Sequence, residues 1–208
     1  SQAHHIKSVP DKVDIISLMY GDNLTDTELS EIEAIRKDKG TKVVYTIDYE
    51  TFRQEIVAHN KEVEESDEGT EEDLRSLANE LPGFMDQQLA LFSKYNYDGI
   101  SIYYNGQSPE FMTAAQVAEM RALQDVIFGK LATIMNANPT KLFMFEGTPN
   151  NVLDKTILKY FSYIVFRTYS VTSIYILDEI VSKQLGEGVP ADNVIVCAQP
   201  RSTNEKDT

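Results

Sequence analysis

Three carboxylates, three tyrosines, an asparagine and an arginine stand where an apolar run of this sequence gives way to polar residues. They are Asp48, Glu50 and Glu146; Tyr20, Tyr103 and Tyr169; Asn105; and Arg167. A positioned carboxyl group can pass a proton to or from a reacting atom. Tyrosine rings offer flat faces for stacking, while amide, carboxylate and guanidinium groups bridge hydroxyls. Such a set can grip a polar ligand with or without performing chemistry on it. The same residues have plainer uses. Arg167 can pair with Glu146 or Asp48, because buried charges need partners, and Tyr103 can be simple packing. Asp98, followed by Gly99, can serve only to set the entry turn of a strand.

These residues need a scaffold, and hydrophobic periodicity supplies one. Apolar runs at Val13 to Met19, Lys42 to Ile47, Gly99 to Tyr104, Lys141 to Phe145, Phe161 to Thr168 and Asn193 to Cys197 read as strands. Along Tyr97 to Gly106, alternation puts Ile100, Ile102 and Tyr104 on one face and Ser101, Tyr103 and Asn105 on the other. Between the strands lie helical patterns. Thr25 and Glu28 form a capping box for a helix carrying Leu29, Ile32 and Ile35, which Gly40 stops. A short helix is expected near Thr51 to Ala58. Thr70 and Asp73 are expected to open another with Leu74, Leu77 and Leu81, kinked or broken at Pro82-Gly83 before Phe84 to Tyr95. A long helix runs from Thr113 to Ala137, and further helices are expected at Asn151 to Tyr160 and Ser173 to Leu185.

Strands alternating with helices, with runs apolar enough to be buried on both sides, predict an α/β fold with a parallel sheet. That sheet is either doubly wound or part of a (β/α)8 barrel. The turn after the first strand, Met19-Tyr20-Gly21-Asp22-Asn23, lacks the Gly-rich spacing of a dinucleotide site. Six units are two short of a closed barrel, which usually takes about 250 residues. The chain is therefore read as one (β/α)8 TIM-barrel-type domain over residues 1–208, with its first and last strands missing from the supplied sequence.

Composition narrows the partners. The 208 residues are 42% hydrophobic, enough for one sizeable core, and no run of eighteen apolar residues exists. A formal charge of −14 would repel nucleic acid and anionic membrane alike. Much of it lies in the stretch 60–72, expected to be a solvated acidic loop. The lone Cys197 reads as a small apolar residue, since His4, His5 and His59 supply no base in a recognisable motif. No metal site is expected, and His4-His5 is too short to define one. Ser1 to Pro10 contains no hydrophobic signal core.

The run Tyr97-Asp98-Gly99-Ile100-Ser101-Ile102-Tyr103-Tyr104-Asn105 resembles the fourth strand of glycoside hydrolase family 18, whose pattern is D-G-x-D-x-D-x-E. Asp98 and Gly99 match; Ser101, Tyr103 and Asn105 stand in place of the two inner aspartates and the acid glutamate. The segments Pro10 to Leu18, Lys39 to Val44, Phe143 to Gly147 and Phe161 to Ser170 are similar to the family's neighbouring strands. They resemble a branch common in Bacteroidetes that includes endo-β-N-acetylglucosaminidase-like proteins. Arg167 and Tyr169 resemble the sixth-strand Gln-x-Tyr, with the glutamine changed and the tyrosine kept.

The resemblance implies a barrel whose functional face is at the strands' carboxyl ends. It also implies substrate-assisted hydrolysis in active members, in which the glutamate protonates the glycosidic oxygen and the substrate's N-acetyl group attacks. The amide of Asn105 cannot act as that acid. The reading that follows is a non-catalytic protein holding N-acetylglucosamine-containing oligosaccharides through Tyr20, Asp48, Tyr103, Asn105, Glu146, Arg167 and Tyr169, without a cofactor. A hydrolase whose acid has moved to Glu146, Asp48 or Glu50 is an alternative, as is a protein-interaction barrel without a ligand. The family also implies an extracytoplasmic location, in the periplasm or at the outer cell surface, secreted or as a lipoprotein.

Overall fold

The computed structural model describes residue 10, residues 12–171 and residues 173–197. The His4-His5 pair, the rest of the segment before Pro10 and the polar tail from Arg201 lie outside the described residues.

Six parallel strands form one sheet: β1 (Ile15–Leu18), β2 (Lys42–Asp48), β3 (Gly99–Tyr104), β4 (Leu142–Gly147), β5 (Tyr163–Phe166) and β6 (Val194–Val196). Their order in space is their order in sequence. A doubly wound sheet reverses direction at a switch point; this one never does. The sheet instead curls as a half-barrel, so the chain is a partial (β/α) barrel. Among the described residues the outer edges of β1 and β6 have no strand partner.

The two faces of the sheet differ in kind. Val43, Tyr45, Ile47, Ile100, Ile102, Tyr104, Phe143, Phe145, Ile164 and Phe166 point outward into the main core shared with the helices. Each fully buried side chain of this size contributes about 1.5–3 kcal/mol, so this layer holds the helices on. The inner face is thinner in apolar groups: Val44, Met144 and Val165 form a small cluster, and Ser17, Thr46, Ser101 and Glu146 share that face. The alternation expected for β3 is therefore observed, with its polar side inside the curl.

Among the described residues five α-helices accompany the sheet. The first, α1 (Asp26–Lys39), has the Thr25–Glu28 capping box and ends on Gly40 at φ 70°, a left-handed conformation that glycine adopts without strain. The second, α2 (Tyr49–Glu65), is longer than the sequence pattern predicts. Asp48 caps it, so it starts directly after β2, and it runs into the segment 60–72 expected to be loop. An exposed helix tolerates acidic residues that face water, and a Lys61–Glu65 pair at 3.7 Å lies in its last turn. Thr70 and Asp73 do form a capping box, but for a single 3-10 turn at Glu71–Asp73.

The third helix, α3 (Leu77–Lys94), begins later, with Ser76 as its cap, and passes through Pro82 without interruption. Pro82 sits in its second turn and forfeits only the bond to the carbonyl of Ala78, so the expected break does not occur. The fourth, α4 (Ala114–Ala137), has a Thr113–Gln116 capping box. The expected helix at Asn151 to Tyr160 is instead two 3-10 pieces, Pro149–Asn151 and Lys155–Tyr160. Gln124 of α4 bears on the difference: its amide donates to the Asn151 carbonyl, an acceptor a helix starting there would use, and accepts from the Leu153 N–H. The last helix is α5 (Ile174–Gln184).

Asp98 and Gly99 have structural duties. One Asp98 carboxylate oxygen accepts from the Val43 N–H at 2.9 Å and from Arg36 Nε at 2.7 Å, tying α1 and β2 to the start of β3. A Cβ at residue 99 would lie 1.6 Å from the Leu142 carbonyl oxygen. Only glycine lets β4 approach there.

Candidate functional site

Register delivers the expected residues to one level of the half-barrel. Asp48 is aligned with Tyr103, and Tyr103 with Glu146, so the three share the inner face at the strands' carboxyl ends. One layer deeper, Thr46 is aligned with Ser101. Arg167 follows β5 and reaches the same level.

There the polar groups close upon each other. Glu146 is 5% exposed. One of its oxygens accepts from Ser101 Oγ at 2.5 Å and Thr46 Oγ1 at 3.3 Å; the other accepts from Arg167 Nε at 2.8 Å and pairs with Nη2 at 2.7 Å. The Arg167 guanidinium lies 3.5 Å from the Tyr103 ring centre, a stacked cation–π contact. The Tyr103 hydroxyl accepts from Asn105 Nδ2 at 2.8 Å, and Asn105 Oδ1 accepts from Thr148 Oγ1 at 3.0 Å.

The remaining carboxylates also have work. Glu50, 3% exposed, accepts the backbone N–H groups of Asn105 and Gly106 with one oxygen, at 2.7 and 2.8 Å. Its other oxygen meets Arg53. Asp48 accepts from the Thr51 N–H and hydroxyl, both at 2.9 Å, as the cap of α2. Thus Tyr103, Asn105, Glu146 and Arg167 form one bonded network, and the ion pair foreseen for Arg167 is with Glu146. Tyr169 is half-exposed beside it; partial burial and the neighbouring Cys197 thiol push its phenol above the ordinary value.

The other two expected residues, Tyr20 and Asp48, line an adjoining cavity of about 670 Å³, which Thr46 also borders. Its walls come from the loop after β1, the end of β2, the start of α2 and the first half of α3. Two buried tyrosines set this frame. Tyr97 donates to the Gly21 carbonyl at 2.7 Å, and Tyr45 to the Gln88 carbonyl at 2.7 Å. Burial holds both phenols above their usual range, so they remain protonated donors at neutral pH. Gly21 lets the loop lie on the Tyr45 side chain, where an added Cβ would come within 2.5 Å of the Tyr45 Cβ and 2.8 Å of its ring. Tyr20, held out by this loop, is 85% exposed. The α3 residues Asn79, Glu80, Gly83, Phe84 and Gln87 were not foreseen, although their spacing of three and four places them on one helical face.

Among the described residues no group of three or more His, Cys, Asp or Glu could hold a metal ion, and no helix is long and apolar enough to cross a membrane.

The fold is that of the family 18 barrels. An endo-β-N-acetylglucosaminidase from Cordyceps militaris superposes with a TM-score of 0.58 at 15% identity, covering 93% of this chain and 59% of that one. BT1044 gives 0.57 at 14% identity, covering 95% and 61%. A family 18 chitinase from Pseudoalteromonas aurantia gives 0.61 at 11% identity, covering 98% and 78%. The chain thus spans less than two thirds of the first two. Comparison with curated protein sequences finds no match. The family model for glycoside hydrolase family 18, BT1044-like, matches residues 1–204. The chain belongs to that family.

Proposed function

We propose that this protein is a non-catalytic family 18 member that binds N-acetylglucosamine-containing glycans outside the cytoplasm. The observation that carries this reading is the state of the mouth. At the strand end where the family resemblance puts the acid stands Asn105, its amide engaged at both ends by Tyr103 and Thr148. A general acid needs a carboxyl within reach of the leaving oxygen. Glu146 is clamped by Arg167 and Ser101, Glu50 by two backbone N–H groups, and Asp48 by the first turn of α2. This weighs against a hydrolase with a relocated acid. The open cavity beside the mouth favours a ligand over an empty interaction barrel.

The test pairs turnover with binding. Purified protein incubated with chitooligosaccharides and a high-mannose N-glycan should release no new reducing end, while calorimetry detects binding of at least one of them. Product formation that scales with protein and is abolished by Glu146→Gln would overturn the reading in favour of a moved acid.

A further inference from the structure

The cavity beside the mouth differs from the mouth in having hydrogen-bonding capacity to offer. No hydrogen bond inside the chain engages the exposed side-chain amides of Asn79 and Gln87 among the described residues. Tyr20 presents a nearly free ring. Phe52 and Phe84, stacked at 4.1 Å and 6°, supply an apolar wall. Its volume of about 670 Å³ falls in the range of small-molecule sites, about 300–1,000 Å³. Aromatic faces beside free amides and carboxylates match the chemistry of a sugar, with apolar ring faces and hydroxyl edges.

The charge is one-sided. Asp22, Asp48, Glu55 and Glu80 line the cavity against a single cation, Arg75, which already pairs with Glu80. An acidic ligand entering there meets like charge, with no free cation among the described lining residues to receive it.

Resting on the carbohydrate-binding reading above, we propose that the glycan seat lies to one side of the mouth, in this cavity between the ends of β1 and β2 and the helices α2 and α3. It takes an uncharged N-acetylglucosamine oligosaccharide and turns away acidic ones. The Glu146–Arg167–Tyr103–Asn105 network, whose polar groups are matched to one another, is not the binding surface.

The experiment uses chitotetraose as the neutral probe and a hyaluronan tetrasaccharide, which alternates N-acetylglucosamine with a carboxylated sugar, as the acidic one. Gly83 is the lever. It faces the cavity from α3, and a Cβ built on it meets nothing within 4 Å, so Gly83→Phe fills the cavity while improving helix propensity. Calorimetry should show chitotetraose affinity falling at least about tenfold in Gly83→Phe, with no fall in the unfolding midpoint. Gln87→Ala, at an exposed position, should weaken it about threefold and guards against a folding defect in the first variant. Tyr169→Ala, on the network side, should leave it within about twofold. Wild-type protein should bind the hyaluronan fragment at least about tenfold more weakly than chitotetraose, a gap that narrows with added salt and in Glu55→Gln.

Unchanged affinity in both Gly83→Phe and Gln87→Ala, or a loss confined to Tyr169→Ala, would overturn the location and leave the carbohydrate-binding reading standing. Equal or tighter binding of the acidic fragment at low salt would overturn the selectivity. Binding of neither probe would overturn the seat; binding of neither probe nor the high-mannose N-glycan would overturn the reading it rests on as well.

Discussion

Two regions of this half-barrel lie side by side at the carboxyl ends of the same strands, and they use polar residues in opposite ways. Around Glu146 each carboxylate, amide and hydroxyl is matched to another group of the chain. Beside Tyr20, side-chain amides face an open cavity and the acidic groups outnumber the basic one. A buried polar group must be satisfied somewhere. Where the chain satisfies it internally, the region becomes stiff and unreceptive; where solvent does so, a ligand can take solvent's place. Similar residue types at similar positions therefore do not predict similar roles until their partners are known.

This contrast can be broken most forcefully at the closed region. Arg167→Met leaves the Glu146 carboxylate buried without its cation and should cost about 3 kcal/mol, read from the urea midpoint. Adding Glu146→Gln should recover more than half, because the amide still accepts from Ser101 without carrying charge; no recovery would mean that the pair is not the stabilising element. Glu50→Ala strands the N–H groups of Asn105 and Gly106 and should cost about 2–3 kcal/mol, with Glu50→Gln clearly milder. Equal losses in the two variants would show that the acceptor oxygen is not what matters.

Smaller effects belong to the cavity side. Asp48→Ala removes only the cap of α2 and should cost about 1 kcal/mol, seen as fraying of its first turn by hydrogen exchange. The least effect concerns Glu80, whose carboxyl Arg75 holds below the ordinary value, chiefly through their hydrogen bonds. A depressed carboxyl contributes stability above its unfolded pKa and loses it as pH falls through the folded one. In Arg75→Gln the Glu80 titration followed by NMR should move up toward the usual glutamate range, and that acid-side contribution should shrink. An unmoved titration would place the cause elsewhere.

Much of the closed region was legible from residue order. Period-two alternation put Ser101 and Tyr103 on the inner face of β3, and the long helix from Thr113 to Ala137 was expected where α4 lies. An ion pair of Arg167 with Glu146 or Asp48 was foreseen, and the structure has it with Glu146. The full extent of α2 was not legible, because an acidic surface helix and an acidic loop share a composition. The passage of α3 through Pro82 was also hidden; a proline near a helix start removes little, and its distance from the start depends on where Ser76 caps. The 3-10 pieces after β4 depend on Gln124, a residue more than twenty positions away. The cavity was the least readable feature, since it exists only where α2 and α3 meet the loops after β1 and β2.

Asp98 and Gly99, the portion of the family's strand pattern kept here, are joinery: one stitches a helix and a neighbouring strand to β3, the other makes room for β4. The strand needs such a pair for architecture whatever stands at its far end. A search keyed to that dipeptide therefore gathers barrels of this build whatever chemistry they perform. Telling them apart requires the strand's far end, four to six residues onward, and the company its side chains keep.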